Sequence, residues 1–134
     1  MSSISPTEVP VTLVMTKKVR TVTRDLPIDE LSQLFLEDAI SGAPVVDPEG
    51  RPIGMVTKTD LIRRRCSSCA IVDDIMTGEA LALPEEATVS QAAALMASER
   101  IHRVVVVSGE GRIVGLVSAL DVLRWMASAN GTES

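Results

Sequence analysis

The sequence predicts an α/β (α+β) chain built from one β-α-β-β-α unit written twice, and three observations carry that prediction. Displacing the chain by 61 residues aligns 11–65 with 72–126 without a gap, matching Met15 with Met76, Thr16 with Thr77, Gly54 with Gly115, Asp60 with Asp121 and Arg63 with Arg124. Within each copy one segment carries apolar residues at helical spacing, and two others are short apolar runs bounded by turn residues. The third observation is compositional: hydrophobic residues make up 46% and charged residues 23%, a globular balance, yet Phe35 and Trp125 are the only aromatics. The core must therefore be aliphatic, and a flat ligand must be gripped by aliphatic side chains and backbone.

Each copy opens with a short strand, "VRTVT" at 19–23 and "ALAL" at 80–83. An amphipathic helix follows, with Ile28, Leu31, Leu34 and Phe35 on its buried stripe in the first copy and Val89, Ala92, Leu95 and Met96 in the second. Thr88 and Gln91 have the spacing of a capping box at the second of these helices, whereas Pro27 stands at the matching place in the first. Two strands come next, "APVVD" and "PIGMV", then "VVVV" and "IVGLV". Their loops "DPEGR" and "SGEGR" place Gly50 and Gly111 where a short hairpin needs a left-handed residue. A last helix starts from Thr57 or Ser118. The repeats are assigned to 9–65 and 72–128 with a linker at 66–71, and because one copy leaves a sheet face half covered, the two are expected to pack together as one module.

Several function classes are disfavoured at this level. A net charge of −5 argues against a nucleic-acid surface, and "RRR" at 63–65 reads as the solvated C-terminal end of a helix, where cations complement the dipole. No apolar run approaches the length of a membrane span, and "MSSISPTEVP" has no signal-peptide pattern, so a cytoplasmic protein without membrane partners is expected. Cys66 and Cys69 form "CSSC" in the linker, after a helix end rather than at a helix start. It is half of a structural zinc site at most, so linker, shared metal and redox pair all remain open, and no metal ligands are assigned. His102 has no Ser, Cys or metal partner to argue for, so no catalytic residue is assigned and an enzyme is not expected.

The chemistry sits in T-x-x-D and S-x-x-D. Thr57 and Ser118 lie where a strand turns into a helix, with Asp60 and Asp121 three residues on. That spacing is a capping pattern in its own right. It also suits a nucleoside phosphate: free N–H groups and a hydroxyl at a helix start receive phosphate oxygens, and a carboxylate one turn away accepts ribose hydroxyls.

The doubled "MT…PVVD..G..(I/V)G(M/L)V(T/S)xxD" resembles a tandem pair of CBS (cystathionine-β-synthase-like) domains, a Bateman module, over about 9–128. The resemblance implies two repeats related by a pseudo-two-fold axis, forming a regulatory, energy-sensing module that binds adenosine-containing ligands: AMP, ADP, ATP, S-adenosylmethionine or NAD(H). It implies that one cleft joins Thr57 and Asp60 to Thr77, Gly78, Ala80, Ile101, His102 and Arg103. The other then joins Ser118 and Asp121 to Thr16, Lys18, Val19, Ile40, Ser41 and Pro44. On that grouping the Asp60 cleft, facing His102 and Arg103, is the more phosphate-selective one. Val105 departs from the family's pattern, standing where the first copy has Pro44. The resemblance further implies a homodimer, for which Phe35, Met96, Trp125 and Met126 supply candidate surface, and output through an effector protein that the sequence does not name. The competing expectations are a ligand-free dimerisation module and a redox or metal module using Cys66 and Cys69.

Overall fold

A computed structural model describes residues 9–63, 68–77 and 80–130 of the 134 in the chain. It contains two three-stranded mixed sheets, each carrying helices. The elements are β1 (Val22–Thr23), α1 (Ile28–Asp38), β2 (Gly42–Val46), β3 (Pro52–Thr57) and α2 (Lys58–Arg63), then β4 (Ala82–Pro84), α3 (Val89–Glu99), β5 (Arg103–Val107), β6 (Ile113–Ser118) and α4 (Ala119–Asn130). The predicted β-α-β-β-α order is present twice. In each sheet the first strand runs parallel to the second, and the second pairs antiparallel with the third.

Local chemistry explains the element ends. The α3 N-terminus is a reciprocal box: the Gln91 N–H donates to Thr88 Oγ1 at 3.1 Å and the Thr88 N–H to Gln91 Oε1 at 2.9 Å. Pro27 offers α1 no side-chain cap, as its chemistry requires. The hairpins turn through Gly50 at φ 86° and Gly111 at φ 84°, a left-handed conformation that glycine adopts without steric cost.

The opening strands are shorter than the sequence suggests, and unequal. In the second copy the Val105 N–H donates to the Leu81 carbonyl at 2.9 Å, so β4 pairs from Ala82 opposite Val105. In the first copy the matching residue is Pro44, which has no N–H to give, and pairing begins one step later, with Val22 opposite Val45.

The compact units do not follow the sequence repeats. One unit is Arg20–Ala80; the other combines Met1–Val19 with Leu81–Ser134. In each, the lead-in segment of one copy completes the core of the other copy's sheet. Val72 and Ile75 are buried with Val22, Leu31, Phe35, Ala43, Val45 and Val56. Val9 and Val11 are buried with Val89, Ala92, Met96, Val104, Val106, Val117 and Val122. Backbone bonds seal the lead-in segments at matching places: the Val72 N–H donates to the Leu26 carbonyl at 2.9 Å, and the Val11 N–H to the Ala87 carbonyl at 2.8 Å. Both cores are aliphatic apart from Phe35 and the partly buried Trp125.

Candidate functional site

The end of β3 is where three chain segments meet. Antiparallel register sets Gly42 opposite Thr57, and the Lys58 N–H donates to the Ser41 carbonyl at 2.9 Å, so the loop Ile40–Gly42 closes on one side of the Thr57 turn. Along the other edge of β3, Met55 and Thr77 exchange both backbone bonds, at 3.1 and 2.9 Å, which brings the lead-in segment up beside the same strand end. The end of β6 repeats this arrangement. Arg103 is opposite Ser118, the Ala119 N–H donates to the His102 carbonyl at 2.9 Å, and Thr16 exchanges bonds with Leu116 at 2.9 and 3.0 Å.

At both turns the acid is half-buried and caps its own helix. The Thr57 N–H donates to Asp60 Oδ2 at 2.9 Å, the Thr57 hydroxyl lies 3.2 Å from the same oxygen, and the Asp60 N–H donates back to Thr57 Oγ1 at 3.3 Å. In the second copy the Ser118 N–H donates to Asp121 Oδ2 at 2.9 Å and the Asp121 N–H to Ser118 Oγ at 3.0 Å. The capping pattern read from the spacing is therefore present in both copies. Among the described residues these carboxylate bonds fall on Oδ2, none on Oδ1, so each acid keeps a second oxygen at the site.

The candidate residues are divided between the two compact units. Thr57 and Asp60 share their unit with Thr77, Ala80, Ile40, Ser41 and Pro44; Ser118 and Asp121 share theirs with Thr16, Lys18, Val19, Ile101, His102 and Arg103. The lead-in segment beside each turn belongs to the other copy, through the Thr77–Met55 and Thr16–Leu116 pairs. Within each copy the loop preceding the middle strand is bonded to that copy's own turn: Ile40–Gly42 to the Thr57 turn and Ile101–Arg103 to the Ser118 turn. The hairpin sets the start of its first strand beside the end of its second in each copy. Arg103 and Lys18 belong to the same compact unit as Asp121. His102 is exposed and, with Arg100, lines a groove of about 630 Å³ between α3 and α4, whose lining also includes Met96, Val122, Leu123 and Met126. Gly78 lies outside the described residues, as do Cys66, Arg64 and Arg65. Cys69 packs against the first-copy core and is disulfide-bonded. Among the described residues no group of three or more His, Cys, Asp or Glu is placed to hold a metal, and no helix is long and apolar enough to cross a membrane.

Two mixed three-stranded sheets, each ending in a T/S-x-x-D helix start and each completed by a lead-in segment from the other copy, define a tandem CBS pair. The chain belongs to the CBS domain family, whose sequence profile matches residues 10–66 and 72–128. It is 33% identical over 112 residues to a homoserine O-acetyltransferase of Methanococcoides burtonii, covering 83% of this chain and 23% of that one. It is 31% identical over 111 residues to an inosine-5'-monophosphate dehydrogenase of Methanocaldococcus jannaschii, covering 83% and 22%. The chain thus spans less than a quarter of these two relatives. Among solved structures it is similar to a CBS domain pair in complex with 5'-methylthioadenosine and S-adenosyl-L-methionine, with TM-score 0.82, 25% identity, and 90% and 97% of the two chains covered. Its fold is also that of CBSX2 in complex with AMP, with TM-score 0.81, 22% identity, and 91% and 99% covered.

Proposed function

We propose that this chain is a cytoplasmic regulatory module that binds adenosine-containing ligands at the ends of β3 and β6 and passes the signal to a partner protein. One observation carries the reading: the same junction of hydroxyl, helix start and half-buried carboxylate is built twice. Each carboxylate turns one oxygen to the cap and keeps one for a ribose hydroxyl. The adenosine moiety is what 5'-methylthioadenosine and S-adenosylmethionine share in the similar CBS pair, and AMP, ADP, ATP and NAD(H) carry it too. Catalysis is not part of the reading, because the enzymes among the relatives match this chain over under a quarter of their length. Arg103 is the phosphate contact in this reading, and the site it serves is the more phosphate-selective of the two. An arginine grips phosphate in a two-pronged, charge-assisted way, and Ser41 and Gly42 at the matching place bring no charge.

A second reading, a ligand-free structural module, is favoured by the capping bonds themselves. Calorimetry with AMP, adenosine and S-adenosylmethionine against wild type, Asp60→Ala, Asp121→Ala and Arg103→Ala separates the two. Each Asp variant is expected to lose one site, and Arg103→Ala to weaken AMP by roughly 1.5–3 kcal/mol, the size of a charged hydrogen bond, with adenosine unchanged. Undiminished binding in the double Asp variant leaves the carboxylates as caps alone.

The module is further proposed to form a homodimer. Phe35 and Met96 are buried in their own cores and do not serve as its surface. Leu120, Leu123 and Met126 on α4 are 52%, 60% and 41% exposed beside the α3–α4 groove, an unusual concentration of apolar surface. Light scattering is expected to show a dimer that Leu123→Glu with Met126→Glu reduces to monomer; a monomeric wild type at micromolar concentration removes this part of the reading.

A further inference from the structure

The repeated "MT" of the lead-in segments and the repeated glycine of "GMVT" and "GLVS" meet in space. A Cβ added at Gly115 would fall on the Met15 side chain, against Sδ and within 2.8 Å of Cγ and 3.0 Å of Cε. A Cβ added at Gly54 would fall 2.5 Å from the Thr77 carbonyl oxygen and 3.1 Å from Met76 Sδ. Each glycine is thus the seat on which one lead-in segment rests, and it lies next to the residue that pairs with the segment's threonine: Leu116 with Thr16, Met55 with Thr77.

We propose that Gly115 and Met15 form a positioning pair that sets Thr16 beside the Ser118 turn through a side-chain contact, whereas Gly54 sets Thr77 beside the Thr57 turn through a backbone contact. The inference rests on the adenosine-site reading for its functional half and on geometry alone for its mechanical half. Fully extended backbone pairing on β6 requires the segment to approach closely, and the thioether of Met15 occupies the room where any other residue's Cβ would stand. An added methyl at position 115 drives Met15 outward and breaks the Thr16–Leu116 exchange of bonds; shortening Met15 to alanine gives that room back. At Gly54 the obstacle is the Thr77 carbonyl, whose oxygen already accepts from the Met55 N–H, so trimming Met76 returns nothing.

The test compares Gly115→Ala, Met15→Ala/Gly115→Ala, Gly54→Ala and Met76→Ala/Gly54→Ala in the full chain. It reads amide hydrogen exchange at Thr16, Leu116, Met55 and Thr77 by NMR, and AMP titration from the Ser118 and Thr57 amide shifts. Overpacking of this size corresponds to about tenfold or more in an opening equilibrium, so Gly115→Ala is expected to speed Thr16 and Leu116 exchange about tenfold and to weaken AMP at the Ser118 site by a similar factor. The Met15→Ala/Gly115→Ala chain is expected to return both to within about threefold of wild type, while Met76→Ala/Gly54→Ala stays as impaired as Gly54→Ala. Wild-type exchange in Gly115→Ala overturns the proposal, as does failure of Met15→Ala to rescue it, including a double variant that does not fold. Exchange restored without AMP affinity overturns the positioning role. If the wild-type chain binds no AMP, the adenosine reading falls, and the exchange measurements alone decide the steric pairing.

Discussion

Asp60 and Asp121 show why a single residue can be legible in two ways at once. A carboxylate three residues after a hydroxyl satisfies the helix start through one oxygen, Oδ2 in both copies, so the capping and binding readings describe different atoms of one side chain. Asp74 is the simpler case. It accepts from the Ala70 N–H at 2.8 Å and the Ile71 N–H at 3.1 Å, and these backbone bonds, Ala70's first, hold its carboxyl below the ordinary value of 3.8. A carboxyl lowered on folding adds stability that is fully present above its unfolded value and is lost as pH falls through the folded one. Thermal melts of wild type and Asp74→Asn are therefore expected to differ by a constant amount from neutral pH down to about pH 4, then to converge below 3.8. Curves that stay parallel down to pH 2.5 exclude Asp74 as a source of acid sensitivity. Asp74 did not stand out in the sequence, because Ile71, three residues before it at the helix start, has no hydroxyl to complete a recognisable capping pattern.

At the scale of elements, the helices were the most legible. The stripe of Leu31 and Phe35, and that of Val89, Ala92 and Met96, is buried as the 3.6-residue period requires, and the Thr88–Gln91 box forms while Pro27 makes none. The opening strands were less so, since "VRTVT" and "ALAL" have equal claims as apolar runs and differ in length only because their neighbours are Pro44 and Val105. The proline thus controls an element more than twenty residues away in sequence. Val105→Pro is expected to remove the bond to the Leu81 carbonyl, shorten β4 to match β1, and cost about 1–3 kcal/mol in urea denaturation, the penalty for a buried polar group left unpaired. Pro44→Val is expected to be far milder, since it adds a donor without stranding an acceptor. Equal costs for the two substitutions would mean that the strand difference has another origin.

For the whole molecule, the boundary that matters is the one the repeats hide. Cutting at the sequence repeats, into 9–65, removes Val72 and Ile75 from the first-copy core; cutting at 20–80 keeps them. A chain of about sixty residues is marginal even when its core is whole. The 20–80 fragment is expected to retain a cooperative thermal transition by circular dichroism, and the 9–65 fragment to show none; the opposite order would mean that the lead-in segment contributes little to the core. The duplication, the order of strands and helices, the aliphatic cores and the two T/S-x-x-D turns were all determined by the sequence alone, because each depends on contacts within some thirty residues and leaves a period or a spacing behind. Which lead-in segment completes which core, and how short each opening strand is, were decided only by tertiary structure. Two copies with nearly the same pattern offer each segment two chemically equivalent partners, and the choice between equivalents is made by chain connectivity and long-range packing, which no local pattern records.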